Sequence, residues 1–213
     1  MAYNVPEGSL QQFSATFASA KTITAVTNAN PAVATSTAHG YTTNDEILLT
    51  SGWEDATDTV FRIEVVDANS FKILGLNTTN TSFFPAGTGT GTAQKISAWQ
   101  TIPQVLTIAS SGGDPKFTEV NPLSKRNGLS IPTGFNSSNL TLTLGHDATN
   151  ATYQQMLDIS RSLSKVAFRQ VLSGPSYQYG YGYMATSEVP QLNAGQVNQV
   201  TSSLAFQGRV ISY

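Results

Sequence analysis

Apolar and polar residues alternate with a period of two along most of the chain, the signature of strands buried on one face. "LQQFSATFA" places Gln11, Phe13, Ala15 and Phe17 on one side. "SNLTLTLGH" sets Leu140, Leu142 and Leu144 against Thr141 and Thr143, and "VAFRQVL" divides Val166, Phe168 and Leu172 from Lys165, Ala167, Arg169 and Val171. "NQVTSSLAFQGRVISY" carries Val200, Ser202, Leu204, Phe206, Gly208 and Val210 on one face. Its other face holds Thr201, Ser203, Ala205, Gln207, Arg209 and Ile211. In "SYQYGYGYMATSEV" the alternation is extreme: Tyr177, Tyr179, Tyr181 and Tyr183 face one way, Gln178, Gly180 and Gly182 the other. One segment breaks the rule. "NATYQQMLDISRSLS" spaces Tyr153, Met156, Leu157 and Leu163 as a helical stripe behind Asn150, a good N-cap, and predicts a helix lying over a sheet.

Two stretches stand apart. Residues 110–134, "SSGGDPKFTEVNPLSKRNGLSIPTG", read as a long polar loop, a length that is usually functional or disordered. Residues 22–95 read as short strands between Asn, Gly and Asp turns, a small β domain inserted into a body made of 1–21 and 96–213. Charge supports the division. The insert holds Asp45, Glu46, Glu54, Asp55, Asp58, Glu64 and Asp67 against Arg62, Lys72 and Lys95, a net of −4, while the rest carries +2.

Composition narrows the class. The 213 residues are 11% charged, under half the usual share of about 25%, with hydroxyl and amide side chains in their place. Such a surface tolerates dense neighbours and suits a subunit that buries much of itself. The net charge of −2 argues against tight nucleic-acid binding. Cysteine is absent, which excludes disulfides and thiolate chemistry. "MAYNVPEGSLQQ" has no basic start or apolar run, so no signal peptide is expected, and no stretch nears the roughly 20 apolar residues of a membrane span.

Catalytic chemistry finds little material. His39 and His146 are distant in sequence and have no cysteine partners, so they read as turn or packing residues. "AGTGTGTAQK" lacks the spacing that wraps phosphates and reads as a flexible return strand. Glu54, Asp55 and Asp58 lack a calcium-loop pattern. No catalytic, metal or cofactor site is expected.

The element order carries a resemblance. A strand-rich start is followed by a long loop after "QTIPQVLTIA" and by "LTLTLGHDATNATYQQMLDISRS". The tyrosine strand, "SEVPQLNAGQVNQV" and the closing "TSSLAFQGRVISY" come next. Over residues 1–21 and 96–213 this resembles the major tail tube protein of long-tailed, non-contractile (siphovirus-type) bacteriophages. Residues 22–95, through "ITAVTNANPAVATSTAHGYTTNDEILLT" and "VVDANSFKI", are similar to a small β-barrel module inserted in phage structural proteins. The resemblance implies two packed, roughly orthogonal antiparallel sheets with one flanking helix. It also implies self-assembly into stacked hexameric rings, each subunit lending four strands to a barrel around a lumen that conducts double-stranded DNA. Implied partners are further copies of the chain, a tape-measure protein, a tail terminator and distal tail or baseplate proteins, in a virion tail assembled in the bacterial cytoplasm. The inner tube of a contractile tail or secretion system shares that fold, and a carbohydrate-binding adhesin is the alternative from another class.

Within that frame, loop residues Asp114, Lys116, Glu119, Lys125 and Arg126 are candidates for ring-to-ring contacts. The insert is expected on the exterior, because its −4 would crowd a lumen or seam. Thr201, Ser203 and Gln207, or the Gln178–Gly180–Gly182 face, are candidates for the lumen; a one-residue register shift exchanges the two faces of a strand, so both stay open. Tyr177, Tyr179, Tyr181 and Tyr183 are expected to grip the subunit's own core or its neighbour, with Tyr181 buried.

Overall fold

The computed structural model describes residues 8–124, 126–172 and 176–213. It is mainly β and antiparallel, with one helix. The chain enters through β1 (Leu10–Ser14) and then leaves to build a small sheet of its own. That sheet comprises β2 (Lys21–Ile23), β3 (Ala25–Val26), β4 (Ala32–Thr35), β5 (Glu46–Ser51), β6 (Thr59–Asp67), β7 (Ser70–Ile73) and β8 (Gly91–Lys95). Its seven strands run in the order β2-β8-β5-β6-β7-β4-β3. The two end strands are consecutive in sequence. Thr24 joins them and donates its amide to the Thr35 carbonyl, so the sheet closes nearly into a barrel. Ile47, Leu49, Trp53, Phe61, Ile63 and Phe71 fill it.

"AGTGTGTAQK" is less free than its glycines suggest. Gly91 opens β8, and a Cβ there would sit 2.0 Å from the Thr50 carbonyl oxygen; a Cβ on Gly89 would strike the Trp53 ring. Gly89 and Gly91 are there for close packing, and Gly87 for its positive φ.

After the barrel come β9 (Gln100–Thr101), β10 (Val105–Ser111), β11 (Pro115–Val120), β12 (Leu129–Phe135) and β13 (Asn139–Gly145). They are followed by α1 (Ala151–Ser162), β14 (Lys165–Val171), β15 (Tyr177–Thr186), β16 (Gln199–Phe206) and β17 (Ile211–Ser212). The body is an eight-stranded sheet, β10-β13-β16-β15-β14-β1-β9, with β17 on β15. α1 begins as its sequence predicts: the Asn150 side chain accepts from the Thr152 and Tyr153 amides. It ends at Leu163, which takes a left-handed cap and points to solvent instead of extending the apolar stripe. Phe13 and Phe168 at one end of the sheet, and Leu142 and Val200 at the other, share one core with Tyr153, Met156 and Leu157 of the helix. The sheet therefore curls around α1.

Two expectations change here. Residues 110–134 are not a loop: β11 and β12 pair as a hairpin. Likewise the Gly180 and Gly182 face is not a smooth open surface. It turns into the core, where a Cβ on Gly180 would lie 2.5 Å from the Phe206 ring and one on Gly182 2.0 Å from the Ala205 carbonyl oxygen. The glycines let β16 and its phenylalanine approach β15. Gly182→Ala should therefore cost about 1–3 kcal/mol by overpacking, and calorimetry should show a Tm lower by about 2–4 °C per kcal/mol. An unchanged Tm would mean the strands separate freely.

Candidate functional site and assembly surfaces

On the side of the body sheet away from α1, β10, β13, β16 and the end of β15 present three cross-strand rows. Thr107, Thr143 and Thr201 make the first row. Ala109, Thr141, Ser203 and Ala185 make the second, and Ser111, Asn139, Ala205 and Tyr183 the third. Opposed residues on antiparallel strands share a face, so this is one continuous surface whose three rows hold no charged side chain; Lys165 of β14, paired with Asp58, borders the third row beyond Tyr183. Of the sequence-predicted lumen candidates, Thr201 and Ser203 lie in these rows, and Gln207 is exposed just past β16. β10 is the outermost strand, and its Leu106 and Ile108 are exposed on an edge with no partner among the described residues.

The hairpin continues from that edge. The ladder bends at Gly112 and Gly113, both at positive φ, where a Cβ on Gly112 would meet the Ser137 carbonyl oxygen at 2.0 Å. Beyond the bend, every described residue of β11 and β12 is exposed, including Phe117, Ile131 and Phe135. An isolated two-stranded hairpin is at best marginally stable in water, and this one offers apolar side chains with no cover from its own chain. Asp114, Lys116, Glu119 and Arg126 are exposed along it, and Lys125 lies outside the described residues.

Three of the four tyrosines, Tyr177, Tyr179 and Tyr181, pack against the barrel. Leu48 of β5 and Val60 of β6 point out of the barrel and pack with Ala167 and Tyr179, flanked by Tyr177, Tyr181 and Tyr213. Tyr179 is the fully buried one, at 1% exposure, whereas Tyr181 is half-buried and Tyr183 exposed. At the centre is Glu46, a residue the sequence did not single out. Its Oε1 accepts from the Tyr179 hydroxyl at 2.6 Å and from Arg169 Nη1 at 2.7 Å, and its Oε2 accepts from the Trp99 indole N–H. Arg169 also donates twice to Gln12 Oε1 and lies 4.5 Å from the Trp99 ring centre. A second ion pair joins Lys165 to Asp58 at 2.7 Å. The Tyr213 hydroxyl donates to the Leu74 carbonyl at 2.7 Å and accepts from the Arg62 amide at 3.0 Å. One signal for Glu46 was in the sequence: "EILL" is apolar at successive positions, as in a strand buried on both faces.

His39 is buried, bonded through Nε2 to the Asp67 carbonyl and accepting the Tyr41 amide on Nδ1; it acts in packing, as does His146 against the edge of Tyr153. No group of three metal-ligating side chains occurs among the described residues.

Two outcomes follow from the Glu46 cluster. Glu46 and Arg169 are 13% and 18% exposed, so Arg169→Ala leaves a mostly buried carboxylate short of its cation. It should cost about 3 kcal/mol in a denaturant titration, more than Arg161→Ala, whose partners are exposed. Burial also pushes Tyr41 and Tyr213 up to about 12 and raises Tyr179, with the hydrogen bond to Glu46 adding to it. Unfolded tyrosines ionise near pH 10. The stability these phenols contribute is thus complete below about pH 10 and lost as pH rises towards the folded values. Urea midpoints should fall between about pH 10 and 12; a flat profile there would contradict it.

The SPP1 tail tube, determined as a hybrid structure by solid-state NMR and cryo-EM, aligns with the chain at a TM-score of 0.43 and 15% identity, over 54% of this chain and 67% of that one. No curated protein matches the chain. The family model described as phage tail tube protein, TTP, matches residues 51–213. That match takes in β6 to β8, the whole hairpin, α1 and the tyrosine strand, well over half the sequence, and the chain belongs to the phage tail tube protein family.

Proposed function

We propose that copies of this chain close into hexameric rings, and that stacked rings form the hollow tube through which genome DNA leaves the capsid for the bacterial host. The carrying observation is the uncharged three-row face bordered by the free edge of β10. A long open strand edge invites pairing with another chain, and a head-to-tail contact that closes makes a ring. Barrels of 16–18 strands already enclose an aqueous channel, so four strands from each of six copies would enclose a wider one. DNA carries about one charge per 1.7 Å of axis; hydroxyl and methyl groups give its phosphates no cation to grip.

Placement of the barrel follows from the same body. The barrel packs on β14 and β15 through Ala167, Tyr177, Tyr179 and Tyr181, whereas the three rows lie on β10, β13, β16 and the far end of β15. The barrel leaves every residue of the three rows at least partly exposed. This supports an inserted domain of residues 22–95 on the exterior. The projecting hairpin reaches the adjacent ring with its apolar and charged residues. The chain is a structural protein, not an enzyme, assembled in the host cytoplasm around a tape-measure protein and bounded by a terminator and distal tail proteins.

Negative-stain electron microscopy before and after concentration is expected to show rings or hollow tubes of uniform bore. A monomer that persists even with the tail's initiator complex would overturn the reading. In a phage carrying Ser203→Lys, tubes should form normally while infectivity falls about tenfold, because a cation now meets the DNA. Full infectivity would remove the three rows from the lumen.

A further inference from the structure

Most charges of this protein are accounted for within one chain. Asp45 pairs with Lys95, Glu46 with Arg169, Asp58 with Lys165 and Glu64 with Lys72. Asp67 closes its own turn by accepting from the Asn69 amide and the Ser70 hydroxyl. Of the barrel's acids, Glu54 and Asp55 alone have no ion pair or side-chain hydrogen bond among the described residues. They stand side by side on the turn between β5 and β6, on the rim of an open groove of about 440 Å³. Phe83, Pro85 and Trp53 give the groove its apolar surface, with the hydroxyl side chains of Ser82 and Thr88 beside them. Phe83 is exposed at 64%. Trp53 is fixed, because its indole N–H donates to the Pro85 carbonyl and to Thr88 Oγ1, both at 2.9 Å, and its ring meets Phe84 edge-on.

The complementary surface is the hairpin tip. Residues 121–128, "NPLSKRNG", carry two bases and no acid. Leu123 stands fully in solvent at 109% exposure, Arg126 is exposed, and neither has a partner among the described residues of its own chain. β11 adds six residues beyond the Gly112–Gly113 bend, which carries the tip about 20 Å out from the body sheet at the usual rise per residue. One element thus has an apolar knob and an unpaired base; the other has an apolar groove with unpaired acids. A self-assembling subunit always meets further copies, so each can find its complement there.

We infer that the hairpin tip of one copy docks in the Trp53–Phe83 groove on the barrel of another. Leu123 fills the apolar groove and Arg126 pairs with Glu54 and Asp55 at its rim. The contact rests on the self-assembly reading and deepens it: the barrel becomes the receptor for its neighbour's arm. Charge complementarity selects this partner, since a neutral sugar would leave both the acids and the base unpaired, and it also fixes which arm meets which groove.

The absence of cysteine makes the test clean. Full-length Ser82→Cys and Ser124→Cys chains, both altered at exposed turn residues beside the groove and in the tip with every proposed charge kept, are mixed and oxidised, and the sample is split between a denaturing gel and electron microscopy. A disulfide needs Cα atoms within about 7 Å, so a covalent dimer in the mixture that neither variant gives alone is the expected result. Tubes without that dimer would overturn the docking and leave the tube reading intact. The dimer without rings or tubes would keep the docking and remove the tube reading, and the absence of both would remove both. A paired experiment reads assembly directly. Arg126→Glu should lose tubes, and adding Glu54→Arg and Asp55→Arg in the same chain should restore them. Loss without restoration would show that charge does not direct the contact. Soluble glycan that binds the groove, with no effect of Arg126→Glu on tubes, would assign the groove to a sugar instead.

Discussion

The Glu46 carboxylate is the contact on which the arrangement of this protein depends. It leaves water at the rim of the barrel and is repaid by three donors that all belong to the body: Arg169, Tyr179 and Trp99. Burying a charge is costly unless its bonds are complete, and removing one partner costs more than the pair contributes. The three donors converge in one geometry only, so the ion pair contributes more to orientation than to net stability. Around it the tyrosines supply area, with Leu48 and Val60 pressed into them. Polar selection at the centre and aromatic burial around it make the barrel a fixed part of the subunit.

This changes what the charge partition along the chain means. The acidic insert and the slightly basic body look like two units of opposite habit. In the fold the opposition is partly consumed at their junction, where Glu46 and Asp58 meet Arg169 and Lys165. The strand edges divide similarly. Closure through Thr24 leaves the barrel almost no edge to offer, whereas the body keeps β10 open. The long unpaired strand edge thereby falls on the body and not on the barrel.

The strands of the body and the helix were legible because each has one face buried, and burial is what imprints a period on sequence. Leu140, Leu142 and Leu144, or Val200 and Leu204, declare themselves core residues by their spacing alone. The hairpin was illegible for the same reason. Both its faces are exposed, nothing forces alternation on "PKFTEV" or "LSIPTGF", and Pro132 and Gly134 argue locally against a strand. Glu46 was hidden by distance: its partner Arg169 lies 123 positions along the chain. The glycines of the tyrosine strand misled, because a missing side chain signals an empty surface and a close approach equally well. Only the position of Phe206 separates the two.

The three neutral rows have a consequence for a polyanion moving past them. A lining of lysine or arginine would displace the ions condensed on DNA, and each contact would then strengthen or weaken with the electrolyte. Rows of threonine, serine and alanine displace none. Any DNA passing over such rows would keep its ion atmosphere and meet only hydrated neutral side chains. A neutral surface of this kind behaves alike at high and at low ionic strength.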